Sequence, residues 1–348
     1  MKVKTGVLLE KKNAAVHERE LGEVGSKQVL VKMDTCNLCT TDYQQWLGLR
    51  EHQGYPMAGG HENSGIVVEI GRDVKNVAIG DRVAFGYNFC GECPECRKGN
   101  TYMCSNASPL AETEDGYRGF FGYAQYKLAE SKYTIVLDKD VKPEHAGFVE
   151  PLGTVLHGLN KLELKPHSTV AIVGAGTMGL LNGIAAKTFG ARVIFSELSQ
   201  KKIQRARNLG FEVVDATAVD PAAEIIKLTK GNGADIVIGA VGSTKAYEQC
   251  IAMLKKQKGK FLVFAAGYPE PELKVSPNEV HYREIEIIGT MGGNISDFEL
   301  AAEYLSKGII DVSSCLEDVK IGLKDIQKAF EVAATPDMYR VTIDCQDV

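Results

Sequence analysis

The sequence lacks the features that mark several large classes of protein. No run of lysine and arginine is long enough to form a nucleic-acid-binding stripe, and the short basic segment LKKQKGK at 254–260 is interpreted as the solvated end of a helix. The N-terminal segment has neither the apolar core nor the small-residue cleavage site of a signal peptide. No apolar stretch reaches the roughly 18 residues that a membrane-spanning helix needs. These absences predict a soluble, cytoplasmic protein that binds neither nucleic acid nor membranes.

Repeats, low-complexity segments and long linkers are absent as well, which indicates ordinary globular domains. A length of 348 residues suggests about two domains, and a hydrophobic content of 44% is enough for a full-sized core. The chain has nine cysteines. Because disulfides are rare in the cytoplasm, clustered cysteines there favour metal or redox chemistry.

Four of these cysteines fall in one short segment, YNFCGECPECRKGNTYMC, at 87–104. They are Cys90, Cys93, Cys96 and Cys104, with the spacing C-x2-C-x2-C-x7-C. Four thiolates around one ion leave no position open for water or substrate, which is typical of structural zinc. The alternatives are an iron–sulfur cluster, which also takes four thiolates, and a chance grouping of core cysteines.

The pattern of apolar residues changes near residue 152. Residues 1–150 contain short β-type runs broken by glycine, which predicts a mostly β, partly barrel-like region. From there to about residue 290, strand patterns alternate with helical patterns, which predicts a doubly wound parallel sheet and an α/β fold class. Helical segments and a last strand follow, and this tail is expected to return to the first region.

The segment VAIVGAGTMG carries the motif G-x-G-x-x-G at Gly174, Gly176 and Gly179, between a predicted strand and a predicted helix. In that context the glycines allow a tight turn, close approach of the backbone to a pyrophosphate, and close helix packing. The phosphates would lie at the N-terminus of the helix. A tight turn without a ligand is the alternative. The remaining candidates for cofactor binding here are Thr177, Met178 and Val241.

The second strand of this series ends at Glu197, which lies 21 residues after Gly176. An acid there accepts hydrogen bonds from the ribose hydroxyls and repels a 2′-phosphate, so NAD is favoured over NADP. Three nearby cations weaken this inference, although they are interpreted as the solvated face of the next helix: Lys201, Lys202 and Arg205.

Three further segments carry groups that could bind a second metal ion. CNLCTTDYQQW contains Cys39, GGHENSG contains His61 and Glu62, and FVEPLGTVLHG contains Glu150. A thiolate, an imidazole and a carboxylate would make a three-ligand zinc site with a fourth position open. Such a site polarises an alcohol oxygen and lowers the pKa of the alcohol. From the residues alone, an ordinary loop histidine and a core thiol are equally acceptable interpretations.

The chain resembles the zinc-dependent medium-chain alcohol dehydrogenase family, especially its polyol and threonine dehydrogenase branches. The resemblance runs nearly end to end and rests on several motifs in the order of the family: CTTD, GGHENSGIVVEIG, GDRV, the four-cysteine segment, VEPLGTVLHG, VAIVGAGTMG and FSELSQKK. It implies two zinc ions per chain, one catalytic and one structural, together with NAD.

The resemblance also assigns roles around the catalytic zinc. It implies that Cys39 and His61 are ligands, and that Glu62 resembles the third ligand of polyol dehydrogenases. Glu150 matches a ligand of other branches, and in the polyol branch it would contact the water beside the metal. The resemblance implies that both glutamates can exchange at the ion.

Three more assignments follow from the resemblance. Thr41 matches the serine or threonine that takes the alcohol proton. Asp42 matches an acceptor that orients His61, a role compatible with capping a helix at TTDYQQW. Thr154 matches a residue that flanks the nicotinamide.

The family fold implies a catalytic, GroES-like domain formed by residues 1–152 and 292–348, and a Rossmann domain formed by residues 153–291. It also implies a homodimer or a homotetramer. The chain departs from the family at Gln44, where many relatives have a histidine that passes the proton outward. Glutamine does not titrate, so the proton must leave by another route, and the threonine-type interpretation becomes weaker.

These observations predict NAD-linked oxidation of a secondary alcohol to a ketone, on a small polar substrate such as a sugar, a polyol or a derivative. The first alternative is an amino-alcohol dehydrogenase of the threonine type. The second is a zinc-stabilised NAD-binding protein without catalysis. The third is a zinc-free quinone or enone reductase, against which the set Cys39, His61, Glu62 and Glu150 argues because that chemistry needs none of them.

Overall fold

A computed structural model describes residues 1–108, 110–113 and 115–348. The chain divides into two compact units. The first consists of Met1–Thr154 and Gly292–Val348, and the second of Val155–Met291. The correspondence of these units to the functional domains implied for 1–152 with 292–348 and for 153–291 stays a prediction. Among the described residues, no helix is both long and apolar enough to cross a membrane.

The strands of the described residues are, in chain order, β1 (Lys2–Glu10), β2 (Asn13–Glu20), β3 (Gln28–Leu38), β4 (Met57–Ala58), β5 (Glu62–Ile70), β6 (Arg82–Phe85), β7 (Ala111–Glu112), β8 (Arg118–Gly119), β9 (Tyr126–Glu130), β10 (Thr134–Leu137), β11 (Thr169–Val173), β12 (Arg192–Glu197), β13 (Glu212–Asp215), β14 (Ile236–Gly239), β15 (Lys260–Val263), β16 (Glu286–Gly289), β17 (Leu316–Gly322) and β18 (Arg340–Asp344).

The α-helices of the same residues are α1 (Thr40–Trp46), α2 (Pro94–Arg97), α3 (Pro143–Ala146), α4 (Val149–Asn160), α5 (Thr177–Thr188), α6 (Gln200–Asn208), α7 (Pro221–Leu228), α8 (Thr244–Met253), α9 (Pro277–Arg283), α10 (Ile295–Ser306) and α11 (Ile326–Ala333).

The first unit is built on two sheets. One has the strand order β2-β1-β4-β8-β7, and the other has the order β10-β6-β5-β3-β18-β17, with β9 also pairing with β3. The C-terminal strand β18 pairs antiparallel with β3, so the last segment of the chain completes the sheet that the first segment begins. The helix α11 packs its apolar side, which includes the buried Ile326 and Phe330, into the core of this unit.

The second unit is a parallel sheet with the order β13-β12-β11-β14-β15-β16. Its central strand β11 has the sequence TVAIV, and all of its residues after the first are buried. A continuous apolar run is what a parallel strand covered on both faces requires. The predicted fold class, with a doubly wound parallel sheet and a β-rich second part, is therefore confirmed.

Candidate active site

In the second sheet of the first unit, three neighbouring strands bring residues that are far apart in the sequence together at one end of the strands. In that sheet β3 lies between β5 and β18, with Asn37 opposite Glu62 and Leu38 opposite Val341. Cys39 directly follows β3, Glu62 begins β5, and Arg340 begins β18. The register of these strands therefore places a thiol, a carboxylate and a guanidinium side by side.

Cys39, His61 and Glu62 form a group that could hold a metal ion. Each residue offers one ligand atom, and these atoms lie within 4.8 Å of one another. Glu150, on α4, does not belong to this group among the described residues. Its carboxylate instead accepts hydrogen bonds from the Tyr87 hydroxyl and from Thr154 Oγ1, the latter at 3.4 Å. The ligand roles of these four residues stay predictions.

The negative charges around His61 indicate whether a zinc ion would fit this group. Burial alone would lower the pKa of His61, but the negative charges of Asp42, Cys39 and Glu150 outweigh it and raise that pKa well above its ordinary value. Among the described residues His61 Nδ1 has no hydrogen-bond partner, and it lies 3.6 Å from Asp42 Oδ2. A thiolate, an imidazole and a carboxylate suit Zn²⁺, which would neutralise this charge in place of a proton on His61. The residues present therefore fit the ion.

Arg340 forms a buried ion pair with the Glu62 carboxylate. No motif in the sequence points to this residue. Its Nε lies 2.7 Å from Glu62 Oε2 and its Nη2 lies 2.6 Å from Oε1, which is a two-bond ion pair. Nη2 also lies 3.3 Å from Cys39 Sγ. Both partners are almost fully buried, with 3% of Arg340 and 1% of Glu62 exposed. The guanidinium fixes the orientation of one candidate ligand and contacts another.

Tyr87 is the second residue that the sequence analysis missed. Its hydroxyl donates to Glu150, and burial together with the charge of Glu150 raises the pKa of Tyr87 well above its ordinary value. The Tyr87 ring packs edge-on against Phe298. The Phe120 ring contacts both other rings of the site, with its centroid 6.2 Å from that of Tyr87 and 5.3 Å from that of His61. Tyr87 is thus a neutral hydrogen-bond donor that positions the Glu150 carboxylate.

Thr41 and Asp42 lie in the first turn of α1, directly after Cys39. Asp42 is buried and accepts hydrogen bonds from the Tyr123 hydroxyl at 3.0 Å and the Gly60 amide at 3.4 Å, which holds it beside His61. Thr41 Oγ1 accepts a hydrogen bond from Arg50 Nη1 at 3.5 Å. The proton-accepting role of Thr41 stays a prediction.

The aromatic residues of α1 face the protein core. Trp46 is buried, stacks on Phe330 and donates its indole N–H to Gln327. Tyr43 is half-buried and packs against the same core. Trp46 therefore has a packing role, whereas Tyr43 also interacts electrostatically with Arg340 of the candidate site.

The four-cysteine segment forms a second group of possible metal ligands. The sulfur atoms of Cys90, Cys93, Cys96 and Cys104 lie within 4.8 Å of one another. Hydrogen bonds from the backbone amides of Cys96 and Ser105 lower the pKa of the Cys93 thiol to about 6, whereas burial and the neighbouring thiols raise the pKa of Cys96 to about 12. Four thiols this close cannot all ionise without a cation between them, so this donor set also fits zinc.

The glycine motif lies in the second unit, at the turn from β11 to α5. Gly174 has φ +97°, which favours glycine, and a Cβ on Gly179 would lie 1.9 Å from the Gly174 carbonyl oxygen. A Cβ on Gly176 would meet no atom within 4 Å. Gly174 and Gly179 therefore serve the turn and the packing, while the side of Gly176 stays open to a ligand.

Glu197 lies at the end of β12, next to this turn. Its carboxylate accepts hydrogen bonds from the amides of Ala175 and Leu198, both at 2.6 Å, and from the Ser199 amide at 2.9 Å. A cavity of about 140 Å³ is lined by Gly174, Glu197 and Val241 among others. Thr177 and Met178 are the first two residues of α5. The cofactor-binding roles of these residues, and of Thr154 on α4, stay predictions.

A parallel sheet with this glycine motif, and a group of residues in a β-rich unit that could hold a metal ion, are features of metal-dependent dehydrogenases. Two family models match the chain: the alcohol dehydrogenase GroES-like domain over residues 25–139 and the zinc-binding dehydrogenase over residues 177–307. The chain is 30% identical to the sorbitol dehydrogenase of Halalkalibacterium halodurans over 302 residues, which is 84% of each chain. It is also 30% identical to the L-threonine 3-dehydrogenase of Caldanaerobacter subterraneus subsp. tengcongensis over 337 residues, which is 92% of each chain.

A protein described as a zinc-binding dehydrogenase from Sinorhizobium meliloti 1021, bound to NADP, has a similar structure. The TM-score is 0.87, the identity is 27%, and the match covers 99% of both chains. The chain therefore belongs to the zinc-dependent medium-chain alcohol dehydrogenase family, in the branch of the polyol and threonine dehydrogenases. The family and the GroES-like and Rossmann folds expected from the sequence are confirmed.

Proposed function

We propose that this chain oxidises a secondary alcohol of a sugar, a polyol or a derivative to a ketone, with NAD as the hydride acceptor. The observation that carries this proposal is the group formed by Cys39, His61 and Glu62, whose ligand atoms lie within 4.8 Å of one another. Two electrons and one proton leave the alcohol as a hydride to NAD⁺, and a second proton is released. The similarity to a sorbitol dehydrogenase supports the substrate class.

The residues of the site have distinct roles in this proposal. Cys39, His61 and Glu62 would hold the zinc ion, which when bound polarises the alcohol oxygen and lowers the pKa of the alcohol. Thr41 Oγ1 accepts the alcohol proton. Arg340 fixes the Glu62 carboxylate through its two hydrogen bonds, and Asp42 faces His61 Nδ1. Such supporting contacts orient metal ligands.

Glu150 has a separate role in the proposal. The hydroxyls of Tyr87 and Thr154 both donate to its carboxylate and thereby hold it in place. In that orientation Glu150 would face water and substrate beside the zinc ligands, and the hydrogen bond from Tyr87 would have to break before Glu150 could replace Glu62 as a ligand. Because Gln44 does not titrate, the proton that Thr41 accepts must leave through water or the cofactor ribose.

The finer features of the cofactors belong to the same proposal. NAD is favoured over NADP because a 2′-phosphate would approach the Glu197 carboxylate, although the similar Sinorhizobium meliloti protein binds NADP. Each chain would hold two zinc ions, one in the Cys39 group and one in the four-cysteine group. We further propose that the protein works in the cytoplasm, where thiols stay reduced, as a homodimer or homotetramer.

The test is the appearance of NADH absorbance in a panel of polyols, sugars, sugar phosphates, L-threonine and simple secondary alcohols, with NAD⁺ and with NADP⁺. Oxidation of a polyol or sugar derivative with NAD⁺ is the expected result. Oxidation of L-threonine alone would replace the proposal with the threonine-type function, which the similarity to a threonine dehydrogenase favours and Gln44 disfavours. Inactivity together with one zinc ion per chain would support a non-catalytic NAD-binding protein instead.

A further inference from the structure

The segment that follows α1 presents a cation to the candidate active site. Arg50 Nη1 lies 3.5 Å from Thr41 Oγ1, and Thr41 is two residues from Cys39. In the proposed function, this threonine oxygen takes the proton of the substrate alcohol. The guanidinium is therefore one hydrogen bond away from the atom that the reacting hydroxyl contacts.

Hydrogen bonds within residues 44–55 fix the backbone from which the Arg50 side chain extends. The Gln45 side chain donates to the Gly54 carbonyl at 2.7 Å, and the Tyr55 hydroxyl donates to the Gln45 carbonyl. The Leu49 amide donates to Gln44 at 2.9 Å, which closes the end of α1 directly before Arg50. These bonds tie both ends of the segment to α1, so the half-buried Arg50 side chain starts from a fixed position.

A guanidinium can donate hydrogen bonds to hydroxyl groups, but its charge and its geometry match an anion better than a neutral polyol. Hydroxyl groups need only single neutral donors and acceptors, whereas the planar fork of arginine matches the two oxygens of a carboxylate or a phosphate. Trp46 of α1 cannot supply the contact in its place, because its side chain is buried in the core. The polar surface next to Thr41 is thus suited to an anionic group.

We propose that the substrate carries a carboxylate or a phosphate monoester close to the alcohol that is oxidised, and that Arg50 binds this group. The proposal rests on the proposed function and narrows its substrate class from polyols in general to sugar acids or sugar phosphates. One hydrogen bond of about 3 Å and one of 3.5 Å separate the reacting oxygen from the guanidinium through Thr41, and a third of about 3 Å joins the guanidinium to the anionic group, which therefore lies within about 10 Å of that oxygen along this path.

The experiment compares neutral and anionic probes in the zinc-loaded enzyme with NAD⁺. The probes are sorbitol with sorbitol 6-phosphate and gluconate, and galactitol with galactitol 1-phosphate and galactonate. The variants are Arg50→Met, Arg50→Lys and, as a control, Arg72→Met, whose side chain is 85% exposed. Comparing the phosphates with the acids identifies which anionic group the site takes.

The wild type is expected to use at least one anionic probe with a kcat/KM about 100-fold above its neutral partner, as a charge-assisted hydrogen bond would give. Arg50→Met should remove that preference, Arg50→Lys should keep part of it, and Arg72→Met should keep all of it. An equal loss on neutral and anionic probes in Arg50→Met would mean that Arg50 only positions Thr41, and would overturn the proposal. So would a wild type that prefers the neutral probes.

Calorimetry of probe binding to the NADH complex separates this inference from the proposed function. If no probe is oxidised but an anionic probe binds and loses at least about 10-fold in affinity in Arg50→Met, the anion site stands and the dehydrogenase activity fails. If binding is the same in wild type and Arg50→Met, the anion site fails whatever the activity is.

Discussion

Cys39 is the residue on which the proposed chemistry depends most directly, because it is the one thiol of the Cys39, His61 and Glu62 group. Replacing Cys39 by alanine should remove one of two zinc ions and lower kcat about 1,000-fold or more, since a metal supplies several kcal/mol of transition-state stabilisation. The fold should survive. Zinc content by atomic absorption and the rate of NADH formation measure the two effects.

A matched control for this prediction is Cys250→Ala, since Cys250 is also a cysteine but is fully buried in the core of the second unit. It should keep both zinc ions and nearly all activity. Full activity in Cys39→Ala would contradict the catalytic zinc, and loss of both zinc ions would show that the two sites are not independent.

Arg340 tests the electrostatics of the same site. In the zinc-free protein, replacing it by methionine leaves the Glu62 carboxylate buried without its counter-ion, and breaking a buried pair from one side typically costs about 3–5 kcal/mol. The chain has one tryptophan, Trp46, in the core of the first unit, so its fluorescence reports the unfolding of that unit in urea. The double variant Arg340→Met with Glu62→Gln should recover much of the loss, because the uncompensated charge is gone. A double variant as unstable as the single one would show that lost packing of Arg340, not the charge, is responsible.

At the scale of the element, the turn from β11 to α5 explains why a short motif could be located from the sequence. The spacing of Gly174 and Gly179 reflects contacts within one turn, where a Cβ on Gly179 would meet the Gly174 carbonyl oxygen. The four-cysteine segment is equally local. By contrast, Glu62 meets Arg340 across 278 residues and Glu150 meets Tyr87 across 63. Such pairs arise from strand register and sheet order, and no periodicity in the sequence encodes them.

The second and third glycines of the motif, Gly176 and Gly179, should respond differently to substitution by alanine. Gly179→Ala forces a shift of backbone, and overpacking of this kind costs about 1–3 kcal/mol. Gly176→Ala should leave stability unchanged, because its φ of −68° suits alanine and its Cβ meets no atom within 4 Å. Its methyl group would, however, stand where the backbone approaches the pyrophosphate, so NADH affinity should fall about 10-fold or more.

Thermal unfolding followed by circular dichroism and NADH binding followed by fluorescence separate these two effects. Unchanged NADH affinity in a stable Gly176→Ala protein would place the cofactor elsewhere. An unchanged melting temperature in Gly179→Ala would mean that the turn relaxes more easily than its contacts suggest.

At the scale of the whole molecule, the four-cysteine segment links the first part of the chain to the returning C-terminal part of the first unit. Its Thr101 hydroxyl accepts from the Ile295 amide at 2.9 Å, and its Tyr102 amide donates to Asn294 at 3.4 Å. Asn294 caps α10, and Phe298 of that helix packs on Tyr87, which holds Glu150. The family resemblance implied that this part of the chain returns, but the contact of the cysteine segment with the start of α10 is seen only in the structure.

The final prediction concerns the zinc ion that this segment would hold. Without the ion, hydrogen bonds from the amides of Cys96 and Ser105 lower the pKa of Cys93 to about 6, so the stability that its thiolate contributes is fully present above the pKa of the unfolded thiol and is lost as the pH falls through about 6. Since zinc binds thiolates, the ion should resist a chelator at pH 8 and leave at pH 5.

Cys96→Ser should remove the same ion and lower the melting temperature of the first unit by about 5 °C or more, because about 1 kcal/mol shifts it by 2–4 °C at this size. Cys39→Ala should instead lower kcat about 1,000-fold while lowering the melting temperature less than Cys96→Ser does, because the catalytic ion is held by fewer protein ligands. Zinc release that does not depend on pH, or an unchanged melting temperature in Cys96→Ser, would contradict a structural role for this ion.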